Sequence, residues 1–360
     1  MVTKDRIDGM SDTIVFCTCF DKNYLDRGLV LCRSLIRNCE SFKLYVFCFD
    51  DKSFDTLKAL ELEKCTILKW SDYETELLLG LKRERTRAEY TWTCTPQIIR
   101  IVLREFREEH AIYIDADMAF FSDPIILLDE IRKGGGHIGI MEHRFNDDWF
   151  GRRYLKRSGK YCVEFNYFDQ TEESRKALDW WAQKCIEWCF HKYEPERMGD
   201  QKYLMKFEQL FEDVYVFQHP GAGVAPWNSK QYKAYLSDNK VALAHMAREG
   251  KDERFNLIFY HFQNFNFITD HIVNMGSGTN DDGFKHLIYY PYIYAIIKGR
   301  SLAEENGITF ENKREYSSNF FINIWQKRLL KLKVKSATDV VRKKEVIDYV
   351  ENTETAQLIW

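Results

Sequence analysis

The chain has 360 residues, 45% of them hydrophobic and 15% aromatic, a composition too apolar for a disordered protein and sufficient for one large core or two modest ones. Its formal net charge of −3 exerts no global pull on nucleic acid, so an anionic partner must be held by a local site. Ten cysteines scattered without metal-type CxxC pairs, a charged rather than apolar Met1–Met10 and no apolar run of about 20 residues predict a cytoplasmic protein with reduced thiols and no membrane-spanning helix.

Thr13 to Phe20 reads as an apolar strand bounded by Asp21-Lys-Asn23, and Tyr24 to Asn38 follows with helical periodicity through Leu25, Leu29, Leu31, Cys32, Leu35 and Ile36. A second strand, Leu44 to Phe49, ends in Asp50-Asp51. Ser53 to Lys64 is predicted as a helix, Thr66 to Trp70 as a strand and Asp72 to Leu81 as a polar helix. Strands that alternate with helices and end in polar residues are the start of a parallel α/β sheet that binds ligands at its carboxyl edge. Neither GxGxxG nor GxxxxGK occurs, which argues against the dinucleotide-binding and P-loop versions of that architecture. Cys17-x-Cys19 and Cys185-x-x-x-Cys189 read as small strand and helix hydrophobes rather than zinc or redox pairs.

Thr95-Pro96 predicts a helix start, with Ile98, Ile99, Val102, Leu103 and Phe106 at helical spacing behind it. That helix leads into Ala111 to Ile114, a short buried strand that delivers Asp115 and Asp117 at its end. In an extended segment these two carboxylates project to the same side while Ala116 turns away, and hard oxygen ligands of this kind suit magnesium or manganese. An aspartate-rich turn after a strand is the plainer alternative.

Ile125 to Lys133 is a predicted helix and His137 to Met141 a strand. The polar stretch Glu142 to Tyr161, with Arg152, Arg153, Lys156, Arg157 and Lys160, reads as a loop placed to close on a ligand or as an ordinary solvated one. Tyr161 to Phe168 is a strand, and Glu172 to Phe190 an amphipathic helix with a tryptophan stripe. In Met198-Gly-Asp-Gln-Lys-Tyr-Leu204, Asp200 and Gln201 either face a cleft or cap a helix. Val214 to Phe217 is a strand. His219-Pro-Gly-Ala-Gly-Val-Ala-Pro-Trp-Asn228 is a specified loop, and Leu257 to Phe265 a strand carrying His261.

Tyr113-Ile-Asp-Ala-Asp-Met118 resembles the Asp-x-Asp signature of GT-A nucleotide-sugar glycosyltransferases, those of glycosyltransferase family 8 in particular. Asp200-Gln201 is similar to that family's Asp-Gln segment, and His261-Phe-Gln-Asn264 to its His-Phe-x-Gly segment. The chain departs from the pattern at Cys162 and Glu164, where Asn and Gly are expected, and at Asn264; no Lys-Pro-Trp follows. The resemblance implies a GT-A-like, Rossmann-like α/β fold with a mixed, mainly parallel sheet flanked by helices. It implies a catalytic domain, expected over 1–275, with a nucleotide-sugar part to about 133 and an acceptor part beyond; the shift in composition after Asn266 adds the expectation of a C-terminal helical extension over 276–360. By the same resemblance, Asp115, Asp117 and His261 would hold manganese or magnesium. The donor, a UDP-sugar, would lie on Cys17, Thr18, Asn23, Tyr24, Arg100, Asp115 and Ala116. Asp200, Gln201 and Glu164 would be the catalytic groups, transferring the sugar with retention to a hydroxyl of a glycan or lipid-linked glycan in bacterial surface-glycan synthesis. A nucleotidyltransferase or phosphohydrolase would use the same aspartates, and a decayed site would leave a nucleotide-sugar binding module.

Gly276 to Gly283 reads as a linker, and Tyr289 to Tyr294 as the start of an aromatic helix. Phe320 to Lys335 combines aromatic and aliphatic residues with Lys327, Arg328, Lys331, Lys333 and Lys335. Such a segment either lies on an anionic membrane as a peripheral contact at its inner face or packs on the domain with a solvated basic side.

Overall fold

The computed structural model describes residues 13–246, 254–276, 281–310, 340–353 and 355–360. Its first third follows the sequence periodicity. β1 (Ile14–Phe20), α1 (Leu25–Asn38), β2 (Phe42–Cys48), α2 (Asp51–Ala59) and β3 (Cys65–Lys69) form an open βαβαβ unit, with all three strands parallel. Gly28 permits a tight return of α1 over the end of β1, because the Phe20 ring occupies the place where a side chain would stand. After α3 (Glu76–Glu84) and α4 (Arg87–Arg104), β4 (His110–Ile114) pairs in parallel with the free side of β1. The chain continues through β5 (Met118–Phe120), α5 (Ile125–Lys133), β6 (Ile138–Glu142), α6 (Trp149–Ser158), β7 (Tyr161–Asp169), α7 (Glu172–Glu187), α8 (Phe207–Leu210) and β8 (Val214–Val216). The central sheet has seven strands in the order β3-β2-β1-β4-β7-β6-β8; β7 runs antiparallel to β4 and β6, and the other pairings are parallel. This is the mixed, mainly parallel α/β sheet the sequence predicts.

Successive side chains of β1 enter opposite cores, as the two-residue repeat of a strand requires. Ile14, Phe16 and Phe20 join Leu44, Ile112, Ile114 and Phe165 beneath α1, α2 and α5. Val15, Cys17 and Cys19 join Phe47, Tyr113 and the α4 and α7 residues Ile98, Val102 and Trp181 on the other face. All ten cysteines are free thiols, nine of them buried, consistent with their reading as small hydrophobes.

Three expectations change. The helix before the aspartate strand begins at Arg87, not at Thr95-Pro96. Thr86 accepts from the Glu89 amide while the Glu89 carboxylate accepts from the Thr86 amide, a capping box nine residues upstream, and Pro96 lies within the helix. Burial of Ile98, Ile99, Val102 and Leu103 outweighs the hydrogen bond that proline forgoes. Within the supposed loop 142–161 stands α6, capped by Asp148, whose carboxylate accepts from Gly151 N at 2.7 Å, and ended by Gly159 at φ +92°. The predicted strand 257–265 shrinks to β12 (Phe259–His261), because the chain turns through Asn264 at φ +64°.

Before β12 lies an antiparallel meander that periodicity did not reveal, β9 (Tyr232–Ser237), β10 (Lys240–His245) and β11 (Arg254–Asn256). After it come β13 (Asn266–Thr269), β14 (Ile272–Asn274), α9 (Asp282–Phe284), α10 (Tyr290–Glu305), β15 (Val340–Arg342) and α11 (Lys343–Thr353), with β15 pairing on β14. The basic aromatic segment 320–335 lies outside the described residues. No helix among the described residues is long and apolar enough to cross a membrane.

α10 is held on α1 by a buried charge cluster. Asp26, fully buried, accepts from Arg27 Nη1 at 2.9 Å and from Arg300 Nε of α10 at 2.7 Å. Asp26→Ala would leave both guanidinium groups short of their carboxylate. Denaturant unfolding should show a loss of about 3–5 kcal/mol, the cost of breaking a buried ion pair; a loss below about 1 kcal/mol would mean that apolar packing alone seats α10.

Candidate functional site

The carboxyl edge of the central sheet gathers the acidic residues. β4 ends at Ile114, and Asp115-Ala116-Asp117 makes a tight turn into β5 rather than an extended run. The two carboxylates therefore converge through the turn, not through strand alternation. β12 lies antiparallel to β5 with His261 opposite Met118, and Phe262 N donates to Asp117 O at 2.8 Å, which fixes the histidine beside the turn. His261 Nε2 is 3.1 Å from Asp117 Oδ1 and 3.8 Å from Asp115 Oδ2. One ligand atom from each of the three residues falls within 4.8 Å of the others.

Behind the imidazole stands Glu164 of β7, fully buried, whose Oε2 lies 2.7 Å from His261 Nδ1. A carboxylate on one ring nitrogen aims the other outward, the usual support of a metal-bound histidine. This places Glu164 behind the histidine rather than at the open side of the site. Cys162, Glu164 and His261 also lie within coordinating distance of each other. That set is sealed: Glu164 already engages Nδ1, and burial pushes the Cys162 thiol well above its ordinary range, leaving it protonated. Two partly exposed carboxylates and an imidazole, by contrast, form a donor set suited to manganese or magnesium.

The charges are strongly coupled. Burial, aided by Asp117, Asp200 and Glu164, pushes the Asp115 carboxyl well up despite His261. Asp117 is held low because His261 and Arg27 outweigh the effect of its burial. His261 is in turn raised, since Asp117 and Glu164 overcome a burial that alone would lower it.

Asp200 follows Gly199, which adopts φ +55° against the Trp92 ring, and Trp181 Nε1 donates to the Asp200 carbonyl at 2.9 Å. Burial pushes the Asp200 carboxyl up to about 7, against hydrogen bonds from Thr95 and local backbone amides. Its charge also reaches Asp115 and Tyr113. Gln201 turns away to α6, where its amide donates to Ser158 O at 3.0 Å.

The predicted donor residues divide. Tyr24 is 45% exposed, and the Asp117 charge is the main reason its phenol is raised, which puts it at the mouth of the site. Asn23 is exposed beside it and donates to Asp21 Oδ1 at 3.2 Å. Cys17 and Thr18 are fully buried in β1, the Thr18 hydroxyl finding no partner among the described residues, and Ala116 is buried in the aspartate turn. Arg100 faces α7, paired with Asp179 at 2.9 Å and donating to Gln97 Oε1 at 2.7 Å, and is not gathered with the aspartates.

Two participants escaped the sequence reading. Arg27 lies buried between the Tyr24 and Phe265 rings and donates to Phe265 O at 3.0 Å, its charge felt by Asp117. Helical periodicity gave no sign of it. Trp227 sits edge-on to His261, with ring centroids 5.3 Å apart, in the loop already singled out for its glycines and prolines. His261 N donates to Val224 O at 3.0 Å, and Asn228 Nδ2 donates to His143 O and Gly223 O, so that loop is stitched to the histidine strand.

The uncharacterized protein YfnD of Bacillus subtilis (strain 168) is 31% identical over 286 residues, covering 78% of this chain and 88% of its own. The chain belongs to the YfnD family. YfnF of the same organism is 27% identical to this YfnD-family chain over 294 residues, covering 79% of it and 93% of the relative. No protein-family model matches the sequence. Among solved structures, galactosyltransferase LgtC in complex with donor and acceptor sugar analogs aligns over 83% of this chain and 98% of its own, at 12% identity and a TM-score of 0.45. Mouse xyloside xylosyltransferase 1 aligns over 70% and 98%, at 14% and 0.43.

Proposed function

We propose that the chain is a metal-dependent glycosyltransferase that moves a sugar from a nucleotide diphosphate donor, a UDP-sugar in particular, to a hydroxyl acceptor in the making of a bacterial surface glycan. The observation that carries this reading is the convergence of Asp115, Asp117 and a Glu164-oriented His261 at the carboxyl edge of the parallel part of the sheet. Asp115, Asp117 and His261 would hold manganese or magnesium, which would supply Lewis-acid neutralisation of the charge on a departing diphosphate. Tyr24 offers the donor an exposed aromatic face beside the aspartates. Asp200, buried and with its carboxyl pushed up to about 7, is the group we assign to stabilising positive charge at the sugar carbon or orienting the acceptor, with retention as the expected stereochemistry. Glu164 acts through His261, as a positioning residue.

Incubation with a panel of UDP-sugars and manganese should release UDP. Release of pyrophosphate or phosphate instead would make the protein a nucleotidyltransferase or phosphohydrolase, and metal-dependent binding without turnover would leave a binding module. Calorimetry should show Glu164→Gln weakening manganese binding by roughly 10–100-fold with the fold intact, the usual cost of losing such a support. His261→Ala should abolish it. Because His261 must lose its proton to bind metal and its pKa is raised, affinity should fall as pH drops through and below the neutral range. Unchanged manganese affinity in both variants would return His261 to a structural role.

A further inference from the structure

A surface helix of a globular protein normally buries one apolar stripe. α6 does not. Eight of its ten residues are exposed, and the only buried one, Gly151, is pressed against the Asn146 carbonyl, where no larger residue would fit. Trp149 and Phe150 are 58% and 61% exposed, and Tyr154 and Leu155 are nearly as open. Four cations, Arg152, Arg153, Lys156 and Arg157, are interleaved with them. Arg152 pairs with Asp147 in full solvent, a weak contact, and Arg153 lies over the Trp149 ring. No acid among the described residues pairs with Lys156 or Arg157.

The helix is coupled to the candidate site by its frame. Ser158 O accepts from Gln201, the neighbour of Asp200, and Lys156 O accepts from Lys202 Nζ at 3.1 Å. Tyr154 stacks on Phe145, Phe145 on His143, and His143 meets Trp227, which touches His261. α6 is thus joined to the site by two hydrogen bonds and a relay of packed rings.

Charge decides what covers this face. Segment 320–335 carries five Lys or Arg and no Asp or Glu, so it would be repelled, as would the same helix of a second copy. An anionic surface that also accepts aromatic rings at its boundary satisfies both halves of the pattern. We propose that α6 docks the protein on an anionic lipid bilayer, with Trp149 and Phe150 entering the headgroup boundary and Arg153, Lys156 and Arg157 facing lipid phosphates. Its use, to bring the site to a lipid-borne acceptor, rests on the function proposed above; the docking itself does not.

The test is co-sedimentation of the full chain with vesicles of phosphatidylglycerol and phosphatidylcholine, against phosphatidylcholine alone, without donor or metal. Binding should require the anionic lipid, shift tryptophan fluorescence to the blue and be reversed by high salt. Arg153→Gln with Arg157→Gln should weaken it roughly 25-fold, at about fivefold for each cation near the surface. Trp149→Ala with Phe150→Ala should abolish the fluorescence shift. Both double variants should keep the parent unfolding midpoint and its metal-dependent UDP release, since none of these residues touches the candidate site. A full chain that ignores anionic vesicles at low salt overturns the proposal. So does vesicle binding that survives both double variants, which would place the contact elsewhere, as in 320–335.

Discussion

Asp117→Ala should abolish manganese-dependent UDP binding and lower sugar transfer on the order of a thousandfold, the several kcal/mol a metal contributes to a departing diphosphate. Asp117 is the carboxylate nearest His261 Nε2 and the main charge that raises the imidazole. Its removal takes away a ligand and at the same time lets His261 fall back toward its ordinary range. The fold should survive, because Phe262 pairs with the backbone carbonyl at 117, which alanine keeps. Removing one of two crowded carboxylates also relieves part of the repulsion that adds to burial in raising Asp115. Calorimetric titration with manganese, followed by UDP release, reads the result. Undiminished manganese-dependent transfer would remove the aspartate turn from the site.

Asp200→Asn should stop transfer and make the protein more stable at alkaline pH. The buried carboxyl titrates near 7 when folded and near 4 when unfolded. Between those values the native state holds a proton that the unfolded state has lost, so stability falls as pH rises through that window, and the full penalty is in place above about pH 7. That interval sets an upper figure on the order of 4 kcal/mol. Asparagine keeps the shape without the charge. Melting temperatures followed from pH 5 to pH 8 should fall more steeply for the parent than for the variant, in which Asp115 and His261 still titrate. Parallel curves would show that Asp200 ionises without cost, and retained transfer would remove it from the chemistry.

A buried carboxyl whose ionisation opposes folding is a candidate for functional use, and the sequence pointed to this residue by likeness and by a glycine-led polar triplet able to face a cleft. The Gly-Asp-Gln string is equally a helix cap in one dimension. Its energetic oddity comes from burial near Thr95 and Asp115, residues about a hundred positions away. Gln201 shows the converse. It shares the motif, yet its amide is spent on the carbonyl of Ser158, the last residue of α6.

What the sequence by itself determined is whatever local periodicity and composition dictate: the βαβαβ opening, helix α5, and a carboxylate pair at the end of a buried strand, since apolar spacing and polar strand ends are imposed within a few residues. The order of Asp115, Asp117, Asp200 and His261 along the chain also suggested that they would meet. Only the tertiary structure decided how. The aspartates converge through a turn closed by β12, Glu164 reaches His261 across 97 residues, and Arg27 is driven inward between two rings instead of lying on a solvent face. Each of these depends on desolvation and charge pairing between segments far apart in sequence. Those terms have no value until the chain is folded, so no window of residues could have carried them.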